Sequence, residues 1–392
     1  MSANTDATAH EHHFIEALDV LFLRGNKLFG DPGSQGDALI PPWPSAAAGA
    51  LRSQLLAHDG TDLSAFSQGR VNHPSLGTPA QPGAFAITAF TLAREGSNAS
   101  TETLHPLPAD LVVTEQEGGY HIQSLRPLAI GPSLVTSSSF SETPVLPETN
   151  RHKACLGLWL TQAGWQRYLQ GNLPKPALQP NGDLLKSSDL WGIDSRVGVG
   201  LNASTRSADD GKLFTTHAVA LKQGVGFLAT VRGARLPSHT SLRFGGDGRA
   251  AISQLVSLEP PQVDLQSIIS QARCRMVLTT PGLFTKGWLP NGVQLQNDGS
   301  HRLNLYGVSA RLVCASVPRA ETISGWDLAN WQPKAAQRAA PTGSVYWLDQ
   351  LKATPEALGK LAESGLWSTP CEDANRRAEG FNRFTFAAYS CT

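Results

Sequence analysis

FIEALDVLFLRGNKLFGDPGSQGDALIPPWPSAAAGALRSQLL, residues 14–56, is the stretch around which the rest of the chain is organised. Its first part, Phe14–Arg24, is apolar enough for a strand covered on both faces. A loop of Gly, Asp and Pro follows, and then Ser45–Leu56, where Ala47, Ala48, Leu51 and Leu55 share one stripe at helical spacing. Ser45 is the expected N-cap, because its hydroxyl can accept an unpaired amide of the first turn. Strand, long cationic loop and helix open many folds; what narrows the choice lies downstream.

Breakers fill 58–83, among them Asp59-Gly60, Asn72-His73-Pro74 and Gln81-Pro82-Gly83. Ala84–Ala93 predicts a second strand. Leu111–Val113 and Tyr120–Ile122, separated by Glu117-Gly118-Gly119, predict a hairpin. Residues 129–150 are rich in Ser, Thr and Pro, and Leu156–Leu169 predicts a short helix in an insertion near 129–190. The segment WGIDSRVGVGLNASTRSADDGKLFTTHAVALKQGVGFLATV, 191–231, suggests a loop protruding near 196–212. After it comes an antiparallel pair, Leu213–Leu221 with Gly226–Val231, turning at Gln223-Gly224. A second unit begins near Leu236, with strands expected at Arg275–Thr279, Leu303–Ser316 and Gly343–Leu348. A helix is expected at Pro355–Ser364, with Pro at its first turn and Gly365 at its end. The pattern is α+β with mainly antiparallel sheets. It divides into a mobile tail at 1–12, one domain at 13–235 and another at 236–392.

Composition bounds the chemistry. The chain has 392 residues, 16% charged, with 37 Gly and 26 Pro, which favours a loop-rich globular protein. Formal net charge is zero, so any nucleic-acid binding must rest on local patches. Five scattered cysteines without C-x-x-C pairing suggest neither a disulfide framework nor a zinc site, and fit a cytoplasmic protein. No signal peptide is expected, and no apolar run reaches the roughly 20 residues that span a bilayer. His10, Glu11, His12 and His13 are expected to be solvated tail residues rather than metal ligands.

Catalytic motifs are absent: there is no G-x-S-x-G, P-loop, H-E-x-x-H or G-x-G-x-x-G after a strand. Gly245-Gly246-Asp247-Gly248-Arg249 fits a tight turn better than a phosphate nest. Neither a cofactor nor a metal is expected. Cations gather instead in Gly-rich stretches, over 191–249 and 273–338, where guanidinium and ammonium groups suit a single-stranded RNA backbone and nearby Trp or Phe can stack a base.

In order along the chain stand LDVLFLRGNKLFG, PPWPSAAAGALRSQLL, RVGVGLNASTRSADDGKLFTTHAVAL, RFGGDGR, PGLFTKGWLP, SGWDLANWQPKAAQRAAPTGSVYWL and RRAEGFNRF. This ordered set resembles the Cmr-type RAMP proteins of type III-B CRISPR systems, and among them the subunit that caps the crRNA 5′ end. The resemblance implies two RRM-like (ferredoxin-like) domains with long insertions, and a non-catalytic subunit that binds the 5′ handle of crRNA. The implied protein partners are the large polymerase/cyclase-like Cmr subunit and the backbone-forming RAMP subunit, with no membrane. The rival from another class is a RAMP endoribonuclease that processes precursor crRNA. Glu379–Arg383 holds less glycine than RAMP proteins commonly carry in their terminal loop.

By position, the residues expected at RNA are Arg24 and Lys27 after the first strand, and Ser45 and Arg52 at the helix. Arg196, Arg206 and Lys212 follow in the excursion, Arg249 in the Gly-rich turn, and Lys286, Trp288, Lys334 and Arg338 in the second unit. Trp288 and Trp326 suit core packing as well as base stacking, and Arg52 can instead pair with a carboxylate of the same chain. Gly49, inside the helix, suggests close approach of RNA or a partner.

Overall fold

A computed structural model describes residues 10–25, 35–36, 38–96, 100–131, 136, 138–147, 152–327 and 330–389. The chain is α+β with mainly antiparallel sheets, and it forms two compact units, each assembled from three segments. The first takes Met1–Thr101, Ser188–Ser257 and Thr322–Gln337; the second takes Glu102–Ser187, Leu258–Glu321 and Arg338–Thr392. This differs from the expected consecutive halves 13–235 and 236–392. His239–Arg243 and Ala250–Val256, beyond the expected boundary, pair into the first unit's sheet, which is why that unit continues to Ser257.

In the first unit, Ala86–Glu95, Val225–Arg232, His10–Ala17, Ala250–Val256 and His239–Arg243 lie side by side in that order, all antiparallel. Val225–Val231 is buried throughout, the pattern of a strand flanked and covered on both sides. Gly226 lets the first strand approach: a Cβ there would sit 2.5 Å from the Ile15 carbonyl oxygen. Phe227 stacks between Phe90 and Phe244, with centroids 5.7 and 5.3 Å away. The helix Pro44–His58 buries Ala47, Ala48, Ala50, Leu51, Leu55 and Leu56. Its N-cap is Trp43, not Ser45: Pro44 has no N–H to leave unpaired and a φ already set for the first helical position, so the helix starts before the serine.

The second unit's main sheet runs Val293–Leu295, His301–Leu305, Val308–Ser316, Val345–Lys352, Cys274–Leu278, Phe384–Ala387, again antiparallel. Thr354 caps the helix Pro355–Ser364 by accepting from the Ala357 amide, and Gly365 ends it at φ 74°. Leu358, Leu361, Met276, Leu312 and Tyr346 are among the buried residues of one core cluster. A second gathers the hairpin Leu111–Gln116/Gly119–Ser124 and the helix Gln162–Leu169 around Trp347. Inside it Arg275 donates to Asp110 at 2.6 Å, to the Tyr168 carbonyl at 3.0 Å and to the Ala388 carbonyl at 2.9 Å. The Tyr168 hydroxyl donates to the other Asp110 oxygen. Every heteroatom of this buried charge pair therefore has a partner, the condition for tolerating one.

Four core strands in each unit follow the spatial order second, third, first, fourth by sequence. One crossover helix accompanies them, after the first strand in the first unit and after the third strand in the second.

Several local expectations change. His10–His12 belong to the first strand, paired with Thr230–Arg232, rather than to a tail, and that strand ends at Ala17, with only isolated bridges at Leu21, Phe22 and Arg24. The expected pair 213–221/226–231 does not form. Val225–Arg232 has both edges taken, and Ala208–Leu221 pairs instead with Trp191–Leu201. The expected loop at 196–212 is therefore most of a long hairpin. Of the expected helix 156–169, Leu158–Leu160 is strand and Gln162–Leu169 is helix. Tyr306-Gly307, both at positive φ, split the expected strand 303–316 into a hairpin. The insertion expected within the first domain belongs to the second unit up to Ser187.

Candidate nucleic-acid interface

The long hairpin has two chemically distinct faces, because alternate residues of a strand point opposite ways. On one stand Asp194, Arg196, Gly198, Gly200, Lys212 and Phe214. Gly198 lies opposite Phe214, and a Cβ at Gly198 would be 2.4 Å from its ring; one at Gly200 would be 2.9 Å from the Lys212 side chain. The glycines thus give room for an aromatic ring and a lysine to lie across the strand. Arg196 contacts Asp194 through Nε at 3.0 Å and Nη2 at 2.8 Å, both side chains 41% exposed. An ion pair that open to water is worth about 0–1 kcal/mol, so a phosphate can displace the carboxylate at small cost. At the tip, the Asn202 side chain accepts from the Ser204 and Thr205 amides and shapes a tight turn, with Arg206 exposed at φ 53°.

A second grouping surrounds Phe22. The Arg24 and Arg249 guanidiniums lie 5.9 and 4.9 Å from its ring centroid. Arg24 is exposed, whereas Arg249 also pairs with Asp19 at 2.9 Å. The Gly-rich turn is closed by packing: the Gly246 amide donates to the Phe22 carbonyl, and a Cβ at Gly245 would be 2.9 Å from that oxygen. This is the tight-turn geometry expected from the sequence. Lys27 lies outside the described residues. Ser45 sits in the first helical turn, and Arg52 lies 5.2 Å from the buried Phe85 ring, an intrachain aromatic contact.

Lys334 is beside two exposed tryptophans of the first unit. Its side chain borders Gly325, and its amide donates to the Gly325 carbonyl. Trp326 and Trp331, on the small pair Trp326–Asp327/Gln332–Pro333, meet edge to face at 5.9 Å and are 49% and 74% exposed, which excludes core packing for Trp326.

In the second unit, Lys286 and Trp288 share one loop. Lys286 donates to the Val293 carbonyl, and Trp288, 43% exposed, meets Phe140 at 5.8 Å. Phe140 stacks on His301, whose pKa is lowered by burial and secondarily by the Lys286 charge. Arg338 is exposed.

Within the first unit the described sequence-derived cations lie on the hairpin, around Phe22, at the helix and beside the Trp326–Trp331 pair; Lys286, Trp288 and Arg338 lie in the second unit. Reasoning from sequence missed Phe22, Phe214 and Trp331. Phe214 had a detectable signal, an aromatic cross-strand from a Gly-x-Gly, once 191–221 was taken as a hairpin.

A family model described as CRISPR-associated protein (Cas_Cmr3) matches residues 13–386. A solved chain from the type III-B Cmr-beta complex bound to cognate target RNA is 15% identical, with TM-score 0.48, over 95% of this chain and 96% of that one. A chain from the same kind of complex bound to cognate target RNA and AMPPnP, state 1, is 16% identical, with TM-score 0.43, over 86% of each. No curated protein matches the chain.

Proposed function

The chain belongs to the Cmr3 family of CRISPR-associated proteins, and from that premise we propose that it is a non-catalytic, RNA-binding subunit of a type III-B effector complex. In this reading it holds the repeat-derived 5′ handle of crRNA in the cytoplasm. It bridges the large polymerase/cyclase-like subunit and the backbone-forming RAMP subunit. Its units are RRM-like, each keeping the strand order of a ferredoxin-like sheet and one of that fold's two helices.

The observation that carries the RNA assignment is the hairpin face bearing Arg196, Lys212 and Phe214, with Arg206 at its tip. Cations spaced along a strand face with a ring between them match what a single strand offers, a charge per nucleotide and a π-face per base. The Trp326–Trp331 pair beside Lys334, and Trp288 beside Lys286, supply the same two elements elsewhere.

The test is binding of a labelled, repeat-derived single strand to the purified chain across a salt series. Replacing Arg196, Arg206 and Lys212 together by Glu is expected to weaken binding at least ten-fold. The slope of log affinity against log salt should fall by about 2, since each phosphate contact to a single strand contributes about 0.7. Unchanged affinity and slope would remove the hairpin from the interface. Cleavage of the same RNA in chelator would replace this reading with the endoribonuclease.

A further inference from the structure

Among the described side chains, the hairpin's other face carries no Lys, Arg, Asp or Glu, and its polar residues include Ser195 and His217, which pair across it. Ile193, Val197, Val199 and Leu201 alternate along Trp191–Leu201 at 50%, 69%, 42% and 63% exposure, and Leu213, opposite Val199, is 60% exposed. Scattered exposed aliphatics are ordinary, but Val197, Val199 and Leu201 follow one another on one strand face with Leu213 opposite Val199, Ser195 separating them from Ile193, and such a run marks an interaction surface. The strand is also an edge. Its sheet runs Trp191–Leu201, Ala208–Leu221, Gln35–Gly36, so among the described residues it is paired on one side only.

Natural edge strands are usually blunted by Lys, by Pro, by inward-pointing charge or by a bulge. These eleven residues contain neither Lys nor Pro. Their two charged side chains, Asp194 and Arg196, lie on the opposite face and bond each other. The one register shift falls at Val199/Leu201, near the tip, and leaves Trp191–Val199 in continuous register with the partner strand.

We propose that this edge docks an extended segment of a partner protein. The segment adds as a strand beside residues 192–201, taking up outward main-chain donors and acceptors there and laying apolar side chains against Val197, Val199 and Leu201, with Ile193 beyond Ser195. Charge decides between protein and RNA as occupant. An RNA strand brings a negative charge per nucleotide and, among the described side chains, meets no Lys or Arg on this face, whereas Arg196 and Lys212 stand on the opposite one. The two faces then divide the hairpin between one nucleic-acid and one protein neighbour. The inference rests on the subunit reading only for the existence of protein partners.

The experiment introduces the photo-cross-linking residue p-benzoylphenylalanine at Val197 in the effector complex purified with its own subunits and guide RNA. The expected adduct is to another subunit, within one extended segment identified by mass spectrometry. An adduct to RNA, an adduct to a second copy of this chain, or no adduct overturns the proposal. In parallel, Val197→Ser combined with Leu201→Ser, which removes apolar surface without adding charge, is expected to leave the melting temperature and RNA affinity of the isolated chain unchanged, both sites being exposed. Co-purification of the cross-linked subunit should fall at least ten-fold. Undiminished co-purification overturns the edge while the RNA reading stands. A wild-type chain that purifies without partners overturns both the edge and the subunit reading.

Discussion

The two units thread their four core strands in the same order, yet they place several of their cations differently. In the second, Arg275 and Arg376 are buried, bonded to Asp110 and Glu379 respectively, and Arg311 pairs with Asp349 and Glu142. In the first, Arg24, Arg206 and Lys212 are exposed, and Arg196 pairs with a half-exposed aspartate. Arg275 and Arg311 of the second unit tie segments distant in sequence together, Arg275 from within the core, whereas Arg206 and Lys212 on the first unit's hairpin stay at the surface. Charge totals, which are zero overall, conceal this division.

The largest expected effect tests the buried side. Arg275→Met leaves Asp110 buried and without its cation, and loss of one partner of such a pair costs about 3–5 kcal/mol. Arg196→Met, on the exposed hairpin, should cost under about 1 kcal/mol. Urea unfolding of the two variants measures both. Adding Asp110→Asn to Arg275→Met should restore part of the loss, because the residual penalty is that of an orphaned charge. Equal losses at Arg275 and Arg196 would break the contrast.

How far the sequence disclosed this arrangement depended on the physics involved. Elements specified locally were legible: the helix Pro355–Ser364 with its Pro and Gly ends, and the hairpin around Gly118-Gly119. Strand partners were not. The motif HAVALKQGVGFLATV looks like a hairpin, because Gln223-Gly224 is good turn chemistry. The outcome is decided by two strands far away in sequence, His10–Ala17 and Ala86–Glu95, which occupy both edges of Val225–Arg232. The same holds for the site. Counting cations over 273–338 included Arg275 and Arg311, whose acidic partners, Asp110, Glu142 and Asp349, all lie outside that window. Alternation in RVGVGL, by contrast, was visible without any tertiary information, and it separates the hairpin's two faces once the partner strand is known.

A smaller effect follows from His105 in the second unit. Its ring stacks on Trp165 with centroids 4.3 Å apart and 9° between planes, and burial lowers its pKa to about 3. The folded state therefore keeps it neutral while the unfolded chain takes up a proton below about 6.5. Stability from this group is full above that pH and declines as pH falls from about 6.5 toward 3, by about 1.4 kcal/mol per pH unit, hence about 2 kcal/mol by pH 5. Urea midpoints at pH 7 and 5 measure the decline. His12 and His13 in the first unit, also lowered chiefly by burial, add to it, so the informative quantity is the difference made by His105→Phe. That variant should shrink the pH 7-to-5 loss by roughly the His105 share, and an unchanged loss would assign the pH dependence to other groups.

The smallest effect sharpens the comparison most, because each unit contains its own control. Both crossover helices carry one exposed interior glycine, Gly49 in the first unit and Gly359 in the second, and an added Cβ at either meets nothing within 4 Å. Neither is retained for packing within the chain. Gly→Ala at such a position is worth about 0.5–1 kcal/mol of added stability, through the reduced freedom of the unfolded chain and better helix propensity. Both variants of the isolated protein should therefore gain similarly in urea unfolding. If RNA or a partner approaches the first helix closely, Gly49→Ala alone should lower RNA retention or assembly while Gly359→Ala leaves both intact. Equal behaviour in the complex would mean that Gly49, like Gly359, is a local helix-weakening residue with no binding role, and would confine the first unit's contacts to the hairpin and the Phe22 and Trp326–Trp331 surfaces.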